Sequence, residues 1–147
     1  MTLLFISIVF ILPVVAIAGY QHYKIGTQPA YDANETLLNY EIIGSGINKL
    51  VLLHGLTGSL NYWKRELESI TKTHSLLLID LLGFGDSPKP KSDYSLSVQL
   101  QALELILKKE GFNDGKTSIA GHSMGAIISL ALLEKYAHWF KAGVFIG

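Results

Sequence analysis

An α/β fold, with a mostly parallel sheet flanked by helices, is predicted by three observations along this 147-residue chain. Compact apolar runs at Leu50-Val51-Leu52-Leu53, Leu76-Leu77-Leu78-Ile79 and Thr117-Ser118-Ile119-Ala120 have the length and character of buried strands. Segments with apolar residues at helical spacing lie between them, and strands alternating with helices imply right-handed crossovers and parallel pairing. His54, Asp80 and Ser123 all fall just beyond the carboxyl ends of these runs, where α/β sheets place their functional residues.

The elements follow in order. From Leu3 to Gly19 there is no charged residue, and Leu, Ile, Val and Phe dominate. That run is at the short end for a membrane span and longer than most signal-peptide cores. Ala16-Ile17-Ala18 has the small-x-small form of a cleavage site, but no Lys or Arg precedes the run, as a secretory leader would require. We expect residues 1–19 to be an uncleaved, single-pass amino-terminal anchor, with secretion after signal cleavage as the alternative. Polar residues 20–35 read as a linker, which argues against a buried core helix before them, and residues 36–147 as a partial catalytic-type domain. Asn34-Glu35-Thr36 fits the glycosylation pattern, relevant only in a eukaryotic secretory lumen.

Within the domain, Leu37–Ile43 alternates as a strand does, and Gly44-Ser45-Gly46 predicts a hairpin into a strand at Lys49–Leu53. Trp63, Leu67 and Ile70 share one helical face, predicting a helix over 61–72 that covers the sheet. After the strand ending at Asp80, Leu81–Pro88 is a loop whose glycines and proline stop any helix. Ser95 can cap a helix reaching Glu110, with Leu96, Leu100, Leu103 and Leu107 at helical spacing and Gly111 as its stop. A strand from Thr117, a helix over 126–136 and a last strand over 142–146 complete the pattern.

Composition narrows the function. Twelve basic and 12 acidic residues cancel, and no basic patch argues for nucleic acid. The absence of cysteine excludes disulfides, thiolate catalysis and cysteine metal sites. Apolar residues make up 49% of the chain, an excess that is partly local to the first 19 residues.

Residues 121–125 read Gly-His-Ser-Met-Gly, between a strand and a helix-forming stretch. A serine on such a sharp turn projects its hydroxyl clear of the sheet, and the flanking glycines remove side chains that would collide there. Together with His54-Gly55 and Asp80-Leu81-Leu82-Gly83-Phe84-Gly85-Asp86-Ser87, in that order, the motif makes residues 36–147 resemble the amino-terminal part of an α/β-hydrolase. The resemblance implies a cofactor-free, metal-free serine hydrolase of the esterase or lipase kind. It assigns Ser123 as nucleophile, the N–H groups of Leu56 and Met124 as oxyanion donors, and His54, Gly55, Asp80, Gly121, His122 and Gly125 as supporting residues. A serine at this position argues against the epoxide-hydrolase and dehalogenase branches, whose nucleophile is an aspartate.

The family's acid and histidine follow the nucleophile in chain order. After Ser123 the chain holds one carboxylate, Glu134, and one histidine, His138. A helix rising about 1.5 Å per residue carries His138 roughly 20 Å from Ser123, beyond the reach of a general base. We therefore expect a fold truncated after about the sixth strand, without activity of its own, and with Val144-Phe145-Ile146 as an uncovered edge open to a protein partner. The expected substrate is a small apolar ester. The competing reading is a non-catalytic, membrane-tethered interaction protein. A nucleotide-binding domain is disfavoured, because Gly83-Phe84-Gly85 lacks the third glycine of the dinucleotide fingerprint and no glycine-rich loop carries a Walker lysine.

Overall fold

The computed structural model describes Asp32, residues 37–64 and residues 67–147. The chain divides into two compact units, residues 1–31 with 89–92 and residues 32–88 with 93–147. Residues 89–92 of the first unit are described and contain no helix. The expected anchor lies outside the described residues, among which no helix is long and apolar enough to cross a membrane.

The second unit is built on five strands, β1 (Tyr40–Ile43), β2 (Asn48–Leu53), β3 (His74–Ile79), β4 (Thr117–His122) and β5 (Phe140–Ile146). Their order in the sheet is β1-β3-β2-β4-β5, and every pairing except β1 with β3 is parallel. Val51, Leu53, Leu77, Ile79 and Ile119 are inaccessible to solvent, and so are their neighbours Leu76 and Leu78, which point to the opposite face. Burial on both faces is why these strands read as continuous apolar runs instead of alternating ones.

The hairpin expected between β1 and β2 does not form. Both sides of β2 are taken, by β3 and by β4, so β1 crosses to the far side of β3 and pairs antiparallel there. The linking glycines serve a close approach instead of a tight turn. A Cβ on Gly44 would lie 2.3 Å from the His74 carbonyl oxygen, and one on Gly46 would lie 1.9 Å from the Thr73 carbonyl carbon.

The helix expected over 61–72 is also different. Among the described residues, a helical segment α1 (Asn61–Lys64) and a 3₁₀ turn at Glu68–Ile70 stand in its place. Ser69, Ile70 and Thr71 are weak helix formers, so tertiary packing sets the path here. The expected face is nevertheless the one that packs. Trp63, Leu67 and Ile70 rest against Leu52, Leu60, Leu76, Leu78 and Ala120.

Helix α2 (Leu96–Lys109) buries Gln99, Leu100, Leu103, Ile106 and Leu107, while Leu96 remains 44% exposed. Ser95 stands at its amino terminus but makes no capping bond, because its hydroxyl meets that of Ser97 and its N–H donates to Asp93. The other end closes as expected. Gly111 adopts φ +70°, and the N–H groups of Gly111 and Phe112 donate back to Lys108 and Leu107, satisfying carbonyls the helix leaves unpaired. Helix α3 (Met124–Lys135) follows β4 without a break, buries Ile128 and Leu132, and leaves Ile127 and Leu130 more than half exposed. A helix apolar on every side belongs to an interior. Along β5, Lys141 to Ile146 are all exposed, including Val144, Phe145 and Ile146.

Candidate active site

The junction of β4 and α3 forces Ser123 into an uncommon backbone state, φ +51° and ψ −116°. Such strain persists only where the surroundings over-determine it. Here Ser123 N–H donates to the Ile146 carbonyl at 2.7 Å, and the Ser123 carbonyl accepts from Ala126 at 2.9 Å and Ile127 at 3.3 Å. Two glycines permit the turn. A Cβ on Gly121 would lie 2.2 Å from the Gly125 carbonyl oxygen, and one on Gly125 would lie 2.4 Å from the Leu53 oxygen. The strand and helix thus meet at backbone contact, and the Ser123 side chain is left exposed at the turn.

The loop leaving β2 reaches the same turn. A Cβ on Gly55 would lie 3.2 Å from Ser123 Cβ and 2.9 Å from His122 Nδ1, so only a glycine lets the loop pass this close. Gly58 N–H closes the loop onto the Gly55 carbonyl at 3.1 Å, and Thr57 is held at φ +60°. Leu56, between them, is 64% exposed. Among the described residues no acceptor takes the N–H of Leu56 or of Met124. Met124 opens a helix, whose first N–H groups have no acceptor within it. Leu56 follows Gly55, whose added Cβ would approach Ser123, and Met124 follows Ser123 in the chain, so both N–H groups belong to segments that meet at the serine turn.

His54 is fully buried beneath this loop. Its Nε2 accepts from Leu81 N–H at 3.0 Å, so that nitrogen carries no proton, and Nδ1 donates to the Gly55 carbonyl at 2.7 Å. Both nitrogens are committed to shaping the two loops. Burial pushes the imidazole below its ordinary value of 6.5, against the opposing effects of the Gly55 bond and the Asp80 charge. Between the folded and unfolded values the unfolded chain holds a proton that the folded one does not. The stability from neutral His54 is therefore complete above pH 6.5 and is lost as pH falls through that value toward the lower folded one. Urea midpoints at pH 7.5 and 5.5 should show it, with a loss of up to about 1.4 kcal/mol per pH unit that is absent in His54→Gln.

Asp80, 1% exposed, organises the loops from the other side. Its Oδ1 accepts from Leu60 N–H at 2.6 Å, and its Oδ2 accepts from Asp86 N–H and Asn39 Nδ2, each at 2.8 Å. Ser87 Oγ donates to the Asp80 carbonyl at 2.6 Å and accepts from Asn39 N–H at 2.8 Å. Gly85 has to be glycine because a Cβ there would lie 2.2 Å from Asp80 Oδ2. His54 Nε2 stands 4.0 Å from Asp80 Oδ1, beyond bonding distance.

Two residues at this site escaped the sequence reading. Gln99, buried in α2, clasps Leu82 through both amide atoms, accepting from its N–H at 3.1 Å and donating to its carbonyl at 2.9 Å. A polar residue in helical register with Leu103 and Ile106 was the available signal. Tyr62, in α1, stacks on His122 with ring centroids 5.3 Å apart and 19° between planes. No local signal announces that contact. Glu134 and His138 are not brought to the site, since Glu134 lies at the far end of α3 and His138 in the 3₁₀ turn Ala137–Trp139 beyond it. The described residues contain no cluster able to hold a metal ion.

A strained serine turn between strand and helix, met by a glycine loop from the neighbouring parallel strand, defines a class. The sequence pattern of the alpha/beta hydrolase fold matches residues 48–147, and the chain belongs to that family. It is 36% identical over 96 residues to "Probable lysophospholipase BODYGUARD 4" of Arabidopsis thaliana, covering 63% of this chain and 23% of that protein. Lipase 3 of Moraxella sp. (strain TA144) is 35% identical over 94 residues, covering 63% and 29%. Among solved structures, MGS-M2, an alpha/beta hydrolase enzyme from a Medee basin deep-sea metagenome library, superposes with a TM-score of 0.70 at 31% identity, covering 78% of this chain and 42% of that one. The chain spans about a quarter of the length of the curated relatives it matches.

Proposed function

We propose that this chain carries the nucleophile and oxyanion donors of a serine hydrolase that cleaves esters of apolar acyl groups. The observation that carries the proposal is Ser123 at φ +51°, exposed and in contact range of Gly55, with the N–H groups of Leu56 and Met124 in the two segments that meet there and without an acceptor among the described residues. Ser123 Oγ attacks the ester carbonyl carbon as its proton leaves to a base. The carbonyl electrons move to oxygen, and the two N–H groups stabilise that charge. Collapse expels the alcohol and leaves an acyl-serine for water to hydrolyse. Relatives named as lipase and lysophospholipase, together with half-exposed Leu56 and Tyr62 near the serine turn, favour an ester-type lipid substrate.

No histidine among the described residues is placed to take the proton. His54 has both nitrogens engaged, His74 opens β3 at the end away from Asp80 and meets the Thr73 hydroxyl, His122 stacks on Tyr62, and His138 stands beyond the far end of α3. The described residues alone would then make a poor catalyst, left with the part of the rate that an oxyanion site supplies without its base, about 10³–10⁴ over water. The apolar run at residues 3–19 would hold it at a membrane, its composition being the support for that placement.

A fluorophosphonate probe tests the proposal. Slow labelling at Ser123, located by mass spectrometry and absent in Ser123→Ala, is the expected result. Labelling of Ser123 no faster than that of exposed Ser97 would sink it. That outcome would favour the second reading, a tethered protein without catalysis, which the exposed β5 edge supports by offering a partner strand a place to pair.

A further inference from the structure

We infer that Tyr62 is a positioning residue for Ser123, acting through the ring of His122 to hold the serine turn in register with the oxyanion loop. The inference rests on the proposed function for its effect on reactivity, but its geometry stands independently. Core packing does not account for the placement of Tyr62. Its neighbours Leu60 and Trp63 face the sheet, whereas Tyr62 remains 52% exposed and puts its ring face on His122. The platform beneath it is fixed. Asp80 Oδ1 holds Leu60 N–H at 2.6 Å, Tyr62 N–H closes onto the Ser59 carbonyl at 3.0 Å, and the Trp63 ring meets the Tyr62 ring edge-on at 4.9 Å.

His122 immediately precedes the nucleophile and ends β4. Its Nδ1 approaches Gly55 so closely that a Cβ there would fall 2.9 Å away. The His122 ring therefore touches the stacked tyrosine and the Gly55 loop, and the backbone of the same residue is joined by a peptide bond to Ser123. A strained turn keeps its geometry only while its neighbours leave no alternative, and offset aromatic stacking supplies a directional constraint at the residue that needs it. The path runs from the buried Asp80 carboxylate through Leu60, Tyr62 and His122 to the serine. Without the Tyr62 ring, His122 gains rotamer freedom and the gap between Gly55 and Ser123 is no longer set.

The test compares Tyr62→Phe, which keeps a stacking ring, with Tyr62→Leu, which keeps apolar bulk without one. Both are made in the full chain, held in detergent micelles because of residues 3–19. Two readouts separate this inference from the hydrolase proposal. Amide resonances of Gly55, Leu56 and Met124 should move in Tyr62→Leu and return in Tyr62→Phe, with thermal midpoints of the two variants within a few degrees of each other. Fluorophosphonate labelling of Ser123 should slow at least tenfold in Tyr62→Leu and stay within about twofold in Tyr62→Phe. Unmoved amides in Tyr62→Leu overturn the inference, and so do moved amides with an unchanged labelling rate. If the unaltered chain does not label while the amides move as stated, the hydrolase proposal falls and the positioning contact stands. His122→Leu removes the same stack from the other ring and should move the Gly55 and Leu56 amides too, so it decides the matter if Tyr62→Leu does not fold.

Discussion

Replacing Asp80 with alanine is expected to cost the fold on the order of 3–6 kcal/mol, because one buried and one part-buried backbone donor lose a charged acceptor worth about 1.5–3 kcal/mol each. Those donors, Leu60 N–H and Asp86 N–H, lie in different loops, and Asn39 Nδ2 is orphaned with them. A typical domain has about 5–15 kcal/mol of stability in all, so the variant should be mostly unfolded or melt far below the parent. Asp80→Asn is the informative companion. It retains one acceptor oxygen but turns an NH₂ toward donors on the other side, and its denaturant midpoint should fall between parent and alanine variant. A midpoint for Asp80→Ala within about 1 kcal/mol of the parent would show that water replaces the carboxylate and that the loops do not depend on it.

The second large effect is expected from Gly125→Ala. The added methyl would stand 2.4 Å from the Leu53 oxygen and 2.5 Å from the His54 oxygen, both backbone atoms of β2 and its exit loop. Neither can rotate away, so α3 has to lift from the sheet. Overpacking of this kind costs about 1–3 kcal/mol, and a rigid obstacle places this case at the upper end. The loss of reactivity should exceed what instability explains. Helix α3 begins directly after Ser123, and the strand it would leave feeds the Gly55 loop, so a displacement approaching 1 Å would separate the proposed nucleophile from the proposed oxyanion donors and cost roughly a hundredfold in rate. Labelling of Ser123, normalised to folded protein, measures this, and an unchanged rate would mean that the turn and the loop move as one body.

How much of this was legible in the sequence depends on the range of the interaction concerned. Strands β2 and β3 were readable because burial on both faces leaves an unbroken apolar run at residues 50–53 and 76–79, and β4, which carries Thr117 and Ser118, by its place just before the serine turn. The serine turn was readable because its glycines, strand and helix are contiguous. The partner of β1 was not. Gly44 and Gly46 look the same whether they make a hairpin or slip past the backbone of residues 73 and 74, and the choice is made by β4 occupying the side of β2 that β1 would have needed. The 3₁₀ turn at Glu68–Ile70 was hidden for a related reason, since Trp63, Leu67 and Ile70 keep helical spacing while their packing against Leu52 and Ala120 does not require one continuous helix. At the site, Gln99 and Tyr62 act across 17 and 60 positions of chain respectively, distances at which a single sequence carries no periodicity to read. Ser95 shows the opposite failure, a sound local signal whose hydroxyl found a nearer partner in Ser97.

The bond from Ser123 N–H to the Ile146 carbonyl gives the edge of the sheet a bearing on time as well as on place. The outermost strand holds the backbone of the serine turn, and it is exposed from Lys141 onward. Local opening in proteins starts where burial is least, at free energies well below that of global unfolding. Each fraying of β5 releases the serine amide, so the lifetime of the strained turn is bounded by the lifetime of the β4–β5 pairing. A contact that steadied β5 would lengthen the life of that turn without touching Ser123.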